Sequence, residues 1–525
     1  MISFPIARPA IPFGMSGPLR ILGAAAGVTT LADWLFYRHT PGISIAIFAT
    51  ALCAAALLTN PVRASRTELV AAAAVLAAAL LPAFEEFGVL SLAFAVMGAP
   101  TCVLLATGWP ARPAAQRLGD LGWMIVSGPF RLAADLDSVV RHARQRDVAK
   151  HGVNWLVAWI VPVGLGGVFL LLFSLANPLI ESWFASVDTS RWWDLDKVRP
   201  LFWLLVVALT WPFLQVRLDS KPTLQDFQAM PDLPPMPSPP AGGSRAAMPP
   251  TPAAAGPLFG KTAILRSLVL FNALFAVQSA LDIAYLWGGV ALPAGMSYAA
   301  YAHRGAYPLI ATALLAGAFV LAAMRPGAPT ERSRPIRGLV FLWVGQNVLL
   351  VLSSMLRLDL YVEAYSLTGW RCAAFIWMLL VAIGLVLIVA RIALDRPNGW
   401  LLWSNAAVLV ATLYACSLTD FSGLIAHFNV MHSREISGVG EPIDMRYLCE
   451  LGPAALPALD LLAVRMNADG RLAAAGLSVC RRNLWMIHHT HTDDWRAWTF
   501  RGHRLERFLD DDTARATTGA DRSTN

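Results

Sequence analysis

The chain has 525 residues, 56% of them hydrophobic and 14% charged, with a mean hydropathy of +0.54. A soluble domain of this length carries nearer a quarter charged residues, so the composition excludes an ordinary soluble enzyme and points to a membrane protein. The net charge of +7 and the pI near 9.3 follow from where the basic residues fall along the chain, and require no nucleic acid partner.

In chain order, about eleven apolar stretches separated by polar or Pro-rich connectors predict an all-α, polytopic helical bundle. The predicted spans are 21–37, 42–59, 69–84, 87–109, 153–176 and 201–216, then, after a long linker, 264–287, 307–324, 338–356, 372–394 and 400–418. The stretches 69–84 and 201–216 are short for a hydrocarbon core of about 30 Å, and the sequence leaves open whether they cross fully or re-enter. The first span carries Asp33 and Trp34 near its end and lacks a short apolar core leading to a small-residue cleavage site, so it is expected to be retained.

Orientation follows from Lys and Arg, because basic loops resist translocation. With the N-terminus inside, 22 of the 41 basic residues fall on the cytoplasmic side and seven outside, with 12 in the tail. The expectation is therefore a bacterial cytoplasmic (inner) membrane protein whose tail is extracytoplasmic. The tail itself has 12 Arg, no Lys and 14 acidic residues.

The predicted organisation has five parts. Residues 1–216 form a six-span unit, and 217–261, with PDLPPMPSPPAGG, a disordered Pro-rich cytoplasmic linker. Residues 262–418 form a five-span unit, 419–512 a small helical extracytoplasmic domain, and 513–525 a disordered end. Within the connector 110–152, Leu132, Leu136, Val139, Val140 and Ala143 recur at helical spacing against Arg131, Arg141, Arg144 and Arg146. That pattern fits a helix lying on the anionic inner leaflet, or one packed on the cytoplasmic ends of the spans.

Candidate chemistry is sparse. Arg357, Tyr361 and Tyr365 share one helix face by i, i+4, i+8 spacing, with Asp359 and Glu363 on a neighbouring face. Together with Tyr301, Arg304 and Arg371 they fall at the predicted outer boundary. The functional reading is an anion site for a lipid headgroup or a polyprenyl phosphate, since Arg presents a planar donor fork to phosphate. The structural reading is an Arg–Asp or Arg–Glu network that locks helices. Asp33 and Asp282, in LADWLFY and ALDIAYLW, are candidate intramembrane proton or ion sites, and their similar placement hints at two related halves. Glu85 and Glu86 sit in a short connector and are expected to be solvated. HHTHTDD places His488, His489 and His491 near two carboxylates, residue types suited to zinc but without an established ligand spacing, so a solvated or capping tract is expected and no metal or other cofactor is assigned. Cys449 and Cys480 fall in the predicted oxidising compartment and are a candidate disulfide. No phosphate loop, dinucleotide fingerprint, metalloprotease pair or nucleophile elbow is present.

The strings ADWLFYRHTPGIS, SYAAYAHRG, RLDLYVEAYSLTGWR, and LIAHFNV with DMRYLCELGPAALPAL resemble a family of bacterial multi-pass membrane proteins, domain-of-unknown-function family 4173. The resemblance runs from the first span into the tail and implies a class without an activity. It departs in two places: glycine is expected where Ser366 stands, and an aromatic residue where Ala306 follows Gly305. These features together predict a non-enzymatic envelope binding, scaffold or sensory protein, with membrane lipids and an anionic headgroup or envelope protein as partners. A proton- or ion-coupled transporter and a transferase acting on lipid-linked substrate are the alternatives.

Overall fold

The computed structural model describes residues 16–110, 113–145, 195–217, 261–284, 333–468 and 475–523. Among them every regular element is helical, and seven helices are long and apolar enough to cross a membrane. The predicted spans 153–176 and 307–324, the Pro-rich linker beyond Arg217, and Tyr301 and Arg304 lie outside the described residues. The chain divides into two compact units, residues 1–238 with 491–525, and residues 239–490.

The first unit contains α1 (Ser16–Phe36), α2 (Ile43–Thr59), α3 (Arg66–Glu85), α4 (Val89–Ala106), α5 (Ala114–Val126), α6 (Gly128–Gln145) and α7 (Leu195–Leu214). It also holds a 3₁₀ turn, Trp495–Ala497, and α17 (Phe500–Ser523), which extends through the region expected to lack structure. The short apolar stretch at 69–84 lies within α3, whose 20 residues are long enough to cross a bilayer at 1.5 Å per residue. A capping box fixes the start of α3: Ser65 Oγ accepts from the Glu68 amide and Glu68 accepts from the Ser65 amide at 2.7 Å. Small residues bring α3 and α4 close, and a Cβ on Gly98 would overlap that of Ala79. Asn60 ties the end of α2 to that of α7, donating to the Phe213 carbonyl and accepting from the Val216 amide, each at 2.8 Å.

In the basic connector, α6 packs against helices of the first unit: Leu132 is buried with Ala25, Ala208, Trp211 and Leu214. Asp135 accepts from the Trp211 indole and pairs with Arg217, both at 2.9 Å. A Cβ on Gly128 would sit on the Ala208 carbonyl oxygen, so the close approach of α6 to α7 needs glycine there.

The second unit contains α8 (Lys261–Asp282), α9 (Arg334–Tyr365), α10 (Gly369–Ala393) and α11 (Asn398–Leu418), followed by the tail helices α12 (Phe421–Met431), α13 (Arg434–Ser437), α14 (Met445–Glu450), α15 (Leu456–Ala468) and α16 (Ala475–Thr492). Its core joins Leu268, Val340, Trp343, Val344, Val351, Met378, Leu385 and Ile388. Helix α9 merges the predicted span 338–356 with the segment after it. Its 32 residues, at about 1.5 Å each, are longer than a bilayer core is thick. The tail roots on the α9–α10 turn, where Val362, Leu367 and Ile425 are buried together and the Tyr447 hydroxyl accepts from the Gly369 amide at 3.0 Å.

Candidate functional site

Buried polar side chains line the seam between α8 and α9. Asn272, Ser279 and Asp282 on α8 face Gln346, Asn347, Ser353, Ser354 and Arg357 on α9 at spacings of three, four and seven, which keep side chains on one helix face. Asn272 donates to the Leu339 carbonyl at 3.1 Å, Gln346 donates to the Asn272 carbonyl at 3.2 Å, and Arg357 pairs with Asp282. Contact positions rise together along both helices, so α8 and α9 run parallel.

The Asp282–Arg357 pair closes this seam. Its side chains are 0% and 4% exposed, and Gln278 also donates to Asp282 Oδ1 at 3.0 Å. The partner of Arg357 is therefore a residue 75 positions earlier, and Asp359 and Glu363 are exposed on other faces of α9. A buried charge in apolar surroundings needs a paired opposite charge, and Asp282 supplies it.

The other residues of the expected outer cluster take separate roles. Tyr361 and Tyr365 rings lie 4.8 Å apart, and the Arg371 guanidinium stacks 4.5 Å from the Tyr361 ring. Arg371 donates to the Tyr365 carbonyl at 2.6 Å and to that of Ser366, satisfying the carbonyls at the end of α9. Ser366 has φ +65° and ψ 169°, a region that glycine occupies easily, which gives a backbone reason for the glycine expected there.

In the first unit, Asp33 is also engaged. Arg199 grips it with two hydrogen bonds of 2.9 and 2.5 Å, and the Trp203 indole donates at 2.8 Å. Beside it the C-terminal segment seats on the connectors 37–42 and 86–88. The Ile43 amide donates to the Trp498 carbonyl at 2.9 Å, and Arg496 donates to the Trp34 carbonyl at 2.9 Å while its guanidinium lies 4.8 and 5.0 Å from the Trp34 and Trp495 rings, which touch each other. A Cβ on Gly42 would come within 2.5 Å of the Ala497 backbone. Glu85, expected to be solvated, is instead largely covered and pairs with Arg504 and with Arg501 at 3.5 Å, whereas Glu86 stays exposed as expected while pairing with Arg501. Their connector is short, but a segment more than 400 residues later in the chain covers it.

Asp494 contacts His39 Nδ1 at 2.6 Å and the Arg496 guanidinium at 3.2 Å. Burial pushes its carboxyl up, and the hydrogen bonds from the Arg496 amide and guanidinium and from His39 outweigh that, holding it below the usual range. The His-rich tract is thereby divided. Asp494 is drawn to His39, the His489 ring packs 4.1 Å from that of Trp485, and His488 is buried. Among the described residues no group of three His, Cys, Asp or Glu is placed to hold a metal ion. Cys449 and Cys480 are disulfide-bonded with Cα atoms 5.8 Å apart, joining α14 to α16, and Asp460 of α15 pairs with Arg481 beside them.

Arg199, His39, Arg501 and Arg504 carried no sequence signal beyond charge. The seam did carry one: Asn272 and Ser279, Gln346 and Ser353, and Asn347 and Ser354 are each seven apart within apolar spans.

The family model described as "Domain of unknown function (DUF4153)" matches residues 24–462. This corrects the resemblance to family 4173. The strings that suggested it place Arg and Tyr at a span boundary, where interface chemistry favours them in many multi-pass proteins. No curated protein and no solved structure matches the chain.

Proposed function

The chain belongs to that family of unknown function, and from there we propose that it is a multi-pass protein of the bacterial cytoplasmic membrane that binds or organises an envelope partner without catalysing a reaction. One observation carries this reading. The charged side chains of the described candidate cluster are spent on the fold: Asp33 on Arg199, Asp282 on Arg357, and Arg371 on the end of α9. An active site would hold such groups ready for substrate.

The tail is the part of the chain that faces the partner. It is cross-linked by Cys449–Cys480, and α16 presents Trp485, Met486 and Ile487 to solvent. An extracytoplasmic tail agrees with the threefold Lys and Arg bias of the loops and with a disulfide, which persists in oxidising compartments. A photo-cross-linking residue at Trp485 should capture one defined envelope protein in intact cells. Capture of lipid or of nothing counts against the reading. Reporter fusions after Leu418 and within the Pro-rich linker should report opposite compartments.

A transporter is the second reading, favoured by the Asp282–Arg357 charges buried between apolar helices. It requires that loss of both charges abolish solute or proton movement while the folded protein persists.

A further inference from the structure

We infer that the seam between α8 and α9 binds water in two layers, the second of which reaches the Asp282–Arg357 pair. The first layer contains Asn272 Oδ1, Gln346 Oε1, Asn347 Oδ1 and Trp343 Nε1, and the second contains the hydroxyls of Ser279 and Ser353. All six atoms are closed off from the surface, and among the described residues no group is hydrogen-bonded to any of them. The amide nitrogens of the same side chains are occupied. Asn272 Nδ2 donates to the Leu268 carbonyl at 2.8 Å, Asn347 Nδ2 to that of Trp343 at 2.8 Å, and Gln346 Nε2 to that of Asn272 at 3.2 Å. Leaving one such group unmet costs about 1–3 kcal/mol, and native interiors hold only a few per hundred residues. Six on one pair of helices therefore mark a place that something polar fills.

The chemistry of the six atoms selects the ligand. The three amide oxygens only accept, the indole N–H only donates, and the two hydroxyls do both. A bare cation would satisfy the oxygens and leave the indole unmet, and an anion would do the reverse. Water meets both kinds, and a single molecule needs only two to four polar partners.

Helical spacing gives the layers their order. Trp343 and Asn347 are one turn apart, and Ser279 and Ser353 lie seven residues further along α8 and α9 than Asn272 and Gln346, about 10 Å at 1.5 Å per residue. Ser279 precedes Asp282 by three residues and Ser353 precedes Arg357 by four, so water in the second layer sits one turn from the ion pair. Water there lowers the cost of holding two charges among apolar helices.

This inference does not depend on the partner-binding reading, because it concerns membrane helices and not the tail. Radiolytic hydroxyl labelling of the whole protein in lipid nanodiscs tests it, since radicals formed from bound water mark the side chains they touch. Trp211 is the internal reference: it is a buried tryptophan whose indole is paired with Asp135, and at 8% exposure it is the more accessible of the two. Trp343, 2% exposed, should be oxidised several-fold faster than Trp211 at short exposure. Equal or slower oxidation of Trp343 overturns the inference. Ser353→Ala gives a second readout. In a dry seam, removing an unmet hydroxyl raises the melting temperature; in a hydrated seam the temperature stays level or falls. A rise overturns the inference even if labelling is ambiguous.

Discussion

Asn429 holds Leu367 by both ends of its amide: Oδ1 accepts from the Leu367 N–H at 2.7 Å, and Nδ2 donates to the Leu367 carbonyl at 2.9 Å. All of these groups are buried, so the pair supplies the hydrogen bonds that the α9–α10 turn cannot make within itself. Because Asn429 lies on α12, the turn and the tail become one structure. Replacing Asn429 with Ala leaves two buried backbone groups unmet, a cost of about 2–4 kcal/mol. The expected outcome is a tail more sensitive to limited proteolysis, with the membrane helices still protected. Loss of the whole protein would mean that the tail and spans fold as a single cooperative unit.

The same turn contains Ser366 at φ +65°, a conformation that costs a residue with a side chain about 1–3 kcal/mol. Glycine takes it without strain but loses more entropy on folding, by about 0.5–1 kcal/mol. Ser366→Gly should therefore stabilise the protein by about 1 kcal/mol, measured as a rise in its melting temperature. A fall would show that the Ser366 side chain makes a contribution larger than the strain.

Some of this was legible in the sequence because a bilayer imposes it. A helix must hold an apolar run of about twenty residues to cross, so α4, α10 and α11 were visible as composition alone. Arg357 and Asp282 each stood out as charges at span ends, but their pairing was not visible, since 75 residues separate them and the nearer carboxylates, Asp359 and Glu363, lie on other faces. The covering of Glu85 by α17 was invisible for the same reason. The basic connector had two physically sound homes, and the distant partners of Leu132 and Asp135 favour packing on the helices. Ser366 is the reverse case, where an expected glycine pointed to an unusual backbone angle that composition does not encode.

The seating of the C-terminal segment should depend on pH through Asp494. Its carboxyl is held below the ordinary range in the seated state, so it binds its proton less readily there than when released. A group depressed in this way contributes stability above its unfolded pKa, near 3.9, and loses it as pH falls through the seated value. Cleavage within α17 by an added protease should therefore be slow at neutral pH and speed up below about pH 4, and Asp494→Asn should cleave faster at neutral pH with less response to acid. Gly42→Val should release the segment at every pH, because its side chain would collide with the Ala497 backbone. Equal cleavage of wild type and Asp494→Asn across the range would remove Asp494 from the clasp.

The Asp282–Arg357 pair gives the sharpest test of scaffold against transport. Removing one partner strands the other charge between apolar helices, so Asp282→Leu and Arg357→Met should each lower folded yield, by about 3–5 kcal/mol of stability. Combining them replaces a buried ion pair with apolar groups of similar size, which is often neutral or stabilising, and folded protein should return. Arg357→Met with Glu363→Ala should show no such recovery, because Glu363 faces away from the pair. If the recovered double variant complements a deletion strain, the ion pair is a strut and the envelope-binding reading stands. If it folds but fails to complement, the two charges are needed for something other than stability, and transport through the α8–α9 seam becomes the reading to pursue.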